Sequence, residues 1–225
     1  MKKIIYHGSE KIIEKPIFGF GKRYNDYGLG FYCTDNLELA KEWSVDFDRN
    51  GYANRYEIET DDLHILNLNS ENYCILHWLT LLLKNRQFDI QSALASDAKD
   101  YLIQNFNVSL DGVDVVVGYR ADDSYFSFAQ DFINGTISYR QLNNAMHLGK
   151  LGEQFVLISQ KAFDCIQFTN AEPADKGEWF AKKEIRDKTA RKEYFSNERD
   201  KRQRGDLYIT AILDEEMKPE DERLR

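Results

Sequence analysis

Apolar residues along the chain follow two periods, one typical of strands and one typical of helices. Short segments that are rich in β-branched and aromatic residues, or that alternate apolar with polar positions, predict strands. The continuous run VDVVVGY is typical of a strand in the middle of a sheet. The predicted strands are KIIYHG (3–8), FYCT (31–34), NRYEIET (54–60), LHILNLN (63–69), VDVVVGY (113–119) and QFVLIS (154–159).

Five other segments have apolar residues at helical spacing. The first begins with Asp35 and Glu38 at the spacing of a capping box, and its apolar face consists of Leu39, Ala40, Trp43 and Phe47. Two of the others end at glycine, which favours helix termination. Because strands and helices do not alternate regularly, the pattern predicts an α+β fold and not a parallel, doubly wound sheet. The predicted helices cover residues 35–47, 72–84, 92–106, 124–134 and 138–148.

Length and composition are those of one core with an appendage. The chain has 225 residues, of which 42% are hydrophobic and 30% charged. We expect a domain over residues 1–170 and a charged, helical C-terminal extension over residues 171–225. The longest apolar run, residues 75–83, is much shorter than the ~20 residues that span a bilayer, and the N-terminus lacks a signal-peptide pattern. The expected location is therefore cytoplasmic, with no membrane partner.

Charge is distributed unevenly. The net charge of -8 disfavours a protein whose whole surface binds nucleic acid. Residues 176–204 differ, because they contain eleven Lys and Arg against six Asp and Glu. Two interpretations of this segment remain open: a solvated helix with salt bridges, or a docking surface for an acidic partner or RNA. Three widely spaced cysteines and four histidines without metal-ligand spacing predict neither a disulfide framework nor a metal site.

Candidate chemistry comes from three short blocks, YHGS (6–9), GLGFYCT (28–34) and GEQFVLIS (152–159). In the first block, His7 leaves a strand next to Gly8, whose missing side chain exposes backbone groups to a ligand. In the second, Tyr32 follows two glycines, so its ring can lie flat over a cleft. In the third, Glu153 and Gln154 are strand neighbours that face opposite ways, so only one of them faces a given pocket. Together the blocks predict one nucleotide pocket.

In this order, the blocks resemble those of the His-Tyr-Glu branch of the ADP-ribosyltransferases, the branch of diphtheria toxin and the poly(ADP-ribose) polymerases. The stretches NDYGLGFYCT and DVVVGYRADD look still more like a family of uncharacterised bacterial proteins with this fold. The resemblance covers residues 1–168. It implies a split β-sheet core, mixed or antiparallel, with flanking helices, and NAD as a co-substrate.

The resemblance also implies roles for individual residues. His7 is expected to hydrogen-bond the adenosine ribose of NAD, Gly8 to pair through its backbone with the nicotinamide carboxamide, and Tyr32 to stack on the nicotinamide ring. Flanking residues expected in the binding site are Ser9, Gly30 and Thr34. The family glutamate, which stabilises positive charge on the nicotinamide ribose, aligns with Gln154. Glu153 takes this catalytic position if the strand register is shifted by one residue.

The glutamine changes the expected activity. A neutral amide can hydrogen-bond the ribose but lacks the charge, which disfavours polymer formation. The leading hypothesis is mono-ADP-ribosylation of a protein or nucleic acid by a toxin-like or regulatory bacterial effector, with an antitoxin or regulatory partner. The alternatives are a module that binds NAD or ADP-ribose without turnover, and an NAD glycohydrolase.

Two further expectations concern variants, and three nearby carboxylates have no assigned role. Gln154→Glu is expected to keep or raise NAD cleavage, because the added charge favours the transition state. Removal of residues 172–225 is expected to leave cleavage largely intact. Carboxylates close to the blocks, without an assigned role, are Asp26, Asp122 and Asp123.

Overall fold

Two β-sheets organise the molecule. The computed structural model describes residues 1–121, 123–150 and 152–224. The first sheet is antiparallel, with β1 (Lys2–Ser9) and β7 (Ile166–Ala174) on either side of β3 (Gly51–Glu59). The second sheet is mixed and has the order β2 (Phe31–Cys33), β6 (Glu153–Leu157), β5 (Val115–Tyr119), β4 (Ile65–Asn67). The predicted α+β class is confirmed, and β5 lies inside its sheet as predicted.

The two sheets meet at one backbone bridge. The N–H of Tyr6 in β1 donates to the carbonyl of Thr34, just after β2, at 2.7 Å, and the N–H of Thr34 donates back at 2.9 Å. The first two sequence blocks are therefore held side by side. Because β2 pairs with β6, the third block lies next to the second.

Helices cover the sheets. In the described residues they are α1 (Leu37–Ser44), α2 (Ile75–Asn85), α3 (Ala93–Asn105), α4 (Asp123–Ile133), α5 (Tyr139–Ala145), α6 (Gln160–Asp164), α7 (Lys176–Glu193) and α8 (Ile209–Asp214). None of these helices is both long and apolar enough to cross a membrane. α2 is buried from Ile75 to Leu83, as its apolar sequence predicts. Ser92 and Ser138 cap α3 and α5 through their hydroxyl oxygens, and so set where these helices begin.

α1 differs in detail from the prediction. Its N-cap is Asn36, whose side-chain oxygen accepts the N–H of Leu39 at 3.1 Å, so the capping box expected at Asp35 and Glu38 is wrong. The helix also ends at Ser44, and Phe47 beyond it is 73% exposed. The helical pattern extended too far because Phe47 continues the spacing of the apolar face after the backbone has left the helix.

The C-terminal part of the chain belongs to the main core. β7 crosses residue 170, where the sequence placed a domain boundary, and continues the pairing with β3 to Ala174. α7 follows, with a π-helical turn at Tyr194–Arg199. Beyond residue 171, the side chains buried in the same core as α2 are Ala190, Tyr194, Ile209, Ile212, Met217 and Leu224.

Candidate functional site

A pocket of about 520 Å³ opens where the two sheets meet. Its volume is in the range typical of small-molecule sites. The loop between β1 and β2 contributes several of its residues, from 13 to 26. The other residues that line it are His7, Gly30, Phe31, Tyr32, Trp43, Arg86, Arg120, Ala121, Gln154, Lys183 and Asp187. The pocket thus brings together residues from all three sequence blocks, among them His7, Tyr32 and Gln154.

His7 is oriented by its neighbours in the second block. Its ring stacks on Phe31, with centroids 4.2 Å apart, and its Nδ1 lies 2.7 Å from the carbonyl oxygen of Tyr32. Because that oxygen can only accept, Nδ1–H donates, and Nε2 of the neutral ring is an acceptor. Burial lowers the pKa of His7, while the hydrogen bond to Tyr32 acts in the opposite direction. A ligand hydroxyl can therefore donate to Nε2 at neutral pH.

Tyr32 is tied to the turn that precedes it. Its hydroxyl donates to the carbonyl of Gly28 at 2.6 Å and accepts the N–H of Tyr27 at 3.0 Å. Gly28 has φ +77°, a backbone conformation that glycine adopts without strain. A Cβ on Gly30 would come within 2.7 Å of Val156. Both glycines of the second block are thus required for the loop to lie against β6 and present the tyrosine ring to the pocket.

β6 turns Gln154 and Glu153 to opposite sides. Gln154 is 4% exposed, and its Nε2 donates to Oδ2 of Asp26 at 3.1 Å. No donor from the described residues reaches its Oε1, which is buried. Glu153 is exposed and accepts the side-chain N–H of Asn69 at 2.7 Å. Gln154, and not Glu153, therefore faces the pocket.

Asp26 is a site residue for which the sequence analysis predicted no role. It is 5% exposed and accepts three hydrogen bonds, from Gln154, from the backbone N–H of Ala121 at 2.9 Å and from Nη1 of Arg86 at 3.1 Å. The pKa of Asp26 is raised above its ordinary value because burial outweighs the lowering by these donors and by the charge of Arg120. Its position two residues before Gly28 was the available signal. Asp122 lies outside the described residues, and only the backbone of Asp123 is described.

Cations line the pocket beside this carboxylate. Arg120 lies with its guanidinium carbon 4.0 Å from the ring centroid of Trp43, and Arg86 lies 4.9 Å from that of Phe126. Lys22 from the β1–β2 loop and Lys183 from α7 also line the cavity. Planar guanidinium groups and lysines are the side chains that bind phosphate groups in proteins. The pocket therefore suits an anionic ligand with a part that can stack.

Three residues expected to bind a ligand have other surroundings. A Cβ on Gly8 would come within 2.2 Å of the carbonyl oxygen of Ala40, so Gly8 allows α1 to pack closely on β1. The hydroxyl of Ser9 donates to the carbonyl of Lys11 at 2.6 Å. Thr34 is fully buried, and its hydroxyl oxygen accepts the N–H of Asn36. None of the three lines the pocket, whereas the expected Gly30 does line it.

The described residues contain no cluster of metal ligands and no disulfide bond. No group of three or more His, Cys, Asp or Glu within the described parts of the chain could hold a metal ion. The cysteines are free thiols.

A protein-family model matches residues 3–168, which contain all three blocks and both sheets apart from Lys2 of β1 and residues 169–174 of β7. No curated protein and no solved structure matches the chain. The sequence-based prediction of an uncharacterised family is confirmed, and the wider relation to ADP-ribosyltransferases stays a prediction. The chain belongs to the family described as "Protein of unknown function (DUF3990)".

Proposed function

We propose that the chain is an NAD-dependent mono-ADP-ribosyltransferase with the fold of the His-Tyr-Glu branch, acting on a protein or nucleic acid. The observation that carries this proposal is that His7, Tyr32 and Gln154, from three separate strands, line one pocket. The basic residues around it suit the pyrophosphate of NAD. A toxin-like or regulatory role in the cytoplasm, with an antitoxin or regulatory partner, is part of the same proposal.

The proposed reaction breaks the bond between C1′ of the nicotinamide ribose and the ring nitrogen of nicotinamide. The bonding electron pair leaves with nicotinamide, which becomes neutral, and C1′ becomes an oxocarbenium centre. A nucleophilic atom of the target then forms a bond to C1′ and loses its proton to solvent. Tyr32 stacks on the nicotinamide ring, Nε2 of His7 accepts from the adenosine ribose, and Oε1 of Gln154 accepts from the nicotinamide ribose.

A second candidate is a module that binds NAD or ADP-ribose without turnover. It is favoured by one observation, the neutral amide that β6 presents to the pocket where the resembling enzymes have a carboxylate. An NAD glycohydrolase is the third possibility, in which water attacks C1′ in place of a macromolecule. Both use the same binding residues, so binding alone does not separate them from the transferase.

The decisive experiment incubates the protein with NAD and with candidate proteins and RNAs. The transferase predicts that nicotinamide is released and that one target gains the mass of a single ADP-ribose. Nicotinamide release without a mass gain identifies a glycohydrolase, and NAD binding without release identifies a binding module. Absence of NAD binding in calorimetry contradicts the proposed function altogether.

Two neighbouring variants serve as a matched pair. Gln154→Ala removes the acceptor in the pocket and is expected to lower nicotinamide release at least tenfold, about 1.4 kcal/mol in the barrier. Glu153→Ala changes the adjacent side chain on the opposite side of β6 and should leave release nearly unchanged. The reverse pattern contradicts the assignment of Gln154.

A further inference from the structure

A buried acid–amide pair, Asp26 and Gln154, forms one wall of the pocket. Both side chains line the cavity, and both are almost inaccessible to solvent. They are 128 positions apart in sequence and meet only through the fold. A buried carboxylate is unfavourable unless donors surround it, which makes the direction of each hydrogen bond informative.

Asp26 determines which end of the Gln154 amide is left without a hydrogen-bond partner. Its partners, the N–H of Ala121, the guanidinium of Arg86 and the amide of Gln154, are all donors, as an ionised carboxylate requires. A carboxylate oxygen attracts the NH₂ group of the glutamine and repels its oxygen. The amide is thus held with Oε1 as a buried acceptor that no described donor satisfies. A ligand hydroxyl is the group that such an acceptor lacks.

We propose that Asp26 is a positioning residue that orients Oε1 of Gln154 toward a hydroxyl of the nicotinamide ribose. This inference rests on the proposed function. Through this contact Asp26 also supplies the negative charge that the glutamine lacks. The two residues together would then take the place of the single glutamate of the resembling enzymes.

The physical reason is polarisation along a chain of hydrogen bonds. A carboxylate that accepts from an amide N–H increases the electron density on the amide oxygen, so Oε1 becomes a stronger acceptor. As the C1′–nitrogen bond breaks, its electron pair leaves with nicotinamide and positive charge develops on the sugar. A fixed negative group nearby stabilises that state more than bound NAD, so its loss should lower kcat more than it changes KM.

The pair reverses the expectation for Gln154→Glu. A glutamate would place a carboxylate oxygen where the amide now donates to Asp26 at 3.1 Å. Two carboxylates at this distance cannot both be ionised without a large cost, so they share a proton or move apart. We therefore expect Gln154→Glu alone to be slower than the wild-type protein, in contrast to the expectation from sequence.

The test is a charge exchange within the pair. Nicotinamide release is measured for Asp26→Asn, for Gln154→Glu and for the double variant Asp26→Asn with Gln154→Glu, which again has one acid and one amide in contact. Each single change should lower kcat at least tenfold, about 1.4 kcal/mol, with KM little changed. The double variant should recover at least tenfold over either single variant.

Asp114→Asn is the matched control. Asp114 is another buried aspartate that accepts from a backbone N–H and a side chain, those of His64 and Ser159, but it does not line the pocket. Its replacement should lower the melting temperature without changing kcat. If Asp26→Asn does not fold by circular dichroism, Gln154→Glu and the double variant are compared directly, and the double variant should still be at least tenfold faster.

Two outcomes separate this inference from the proposed function. An active wild-type protein with an unchanged kcat in Asp26→Asn, or equal rates in Gln154→Glu and the double variant, overturns the role of Asp26 alone. Failure of the wild-type protein to release nicotinamide overturns both.

Discussion

At the residue scale, His7 is one of the titratable groups that line the pocket. Because burial lowers its pKa below the ordinary 6.5, the folded protein holds this ring neutral at pH 7. The unfolded chain binds a proton at His7 more strongly than the folded protein does. The free energy of unfolding therefore decreases as the pH falls below 6.5. Acid also converts Nε2 from an acceptor into a donor.

We expect the affinity for NAD to be constant between pH 7 and pH 8.5 and to fall as the pH decreases through the lowered pKa of His7. Calorimetric titration across this range measures the effect. His7→Gln keeps a polar side chain without a group that titrates here, so its affinity should lack this step. A step that persists in His7→Gln assigns the titration to another group, such as Asp26.

Tyr32 allows stacking to be separated from loop anchoring. Tyr32→Ala removes the ring and should weaken NAD binding by about 1 kcal/mol or more. Tyr32→Phe keeps the ring but loses the hydrogen bonds to Gly28 and Tyr27, so the loss should appear in stability more than in affinity. Tyr101→Ala, on α3 and outside the pocket, should leave affinity unchanged. Equal affinities for all three variants contradict the stacking role.

The sequence predicted some of these residues and not others for a simple reason. Alternation along a strand is a local property, so the opposite orientations of Glu153 and Gln154 could be derived from two neighbouring letters. The contact between Asp26 and Gln154 spans 128 positions and depends on how β2, β6 and the preceding loop meet. No periodicity contains that information. The only sequence signal for Asp26 as a site residue was its position before two glycines.

At the scale of elements, β7 is an edge strand that the sequence pattern did not predict. It pairs with β3 along its length, yet most of its residues are exposed or half-buried, and it contains Pro173 and Glu172. Such a composition is typical of edge strands and equally of linkers. By contrast, α2 and β5 are buried nearly throughout, and their apolar runs predicted them. The sequence therefore predicted most accurately the elements whose apolar side chains are most buried.

α7 is fixed to α1 by a bidentate ion pair. Arg186 donates from Nε and Nη2 to both carboxylate oxygens of Glu42, at 2.8 and 2.7 Å, and the Glu42 side chain is 3% exposed. This pair holds the helix that contributes Lys183 and Asp187 to the pocket.

Removing one partner should leave a buried charge without compensation. We expect Arg186→Leu to lower the free energy of unfolding by about 3 kcal/mol, and Glu42→Leu with Arg186→Leu to lower it by less, as measured in urea. Lys188→Ala on the same helix breaks only an exposed pair with Glu184 and should cost less than about 1 kcal/mol. A double variant as unstable as Arg186→Leu contradicts this account.

At the scale of the whole molecule, the chain beyond residue 171 is part of the fold. Removing residues 172–225 deletes the end of β7, the whole of α7 and α8, and six core side chains. We now expect this truncation to abolish cooperative thermal unfolding, in contrast to the expectation from sequence that it leaves NAD cleavage intact. A truncated protein with a sharp transition and normal nicotinamide release contradicts this prediction.

Docking by the basic segment is better tested in the full chain. Lys188 and Lys192 are exposed on α7, so replacing both with glutamine removes charge without removing core contacts. If the segment binds an acidic target or RNA, modification of that target should slow while nicotinamide release is retained. Equal modification rates favour a solvated helix.

The ion pair between Glu42 and Arg186 also affects when the pocket can be completed during synthesis of the chain. The two residues are 144 positions apart, and ribosomes add about 5–20 residues per second, so Arg186 is made roughly 7–30 s after Glu42. During this interval the nascent chain lacks Gln154 at first and then the α7 wall of the pocket. If the protein acts on NAD as proposed, a chain still attached to the ribosome should therefore consume little NAD, and cleavage should begin only after the complete chain has been released.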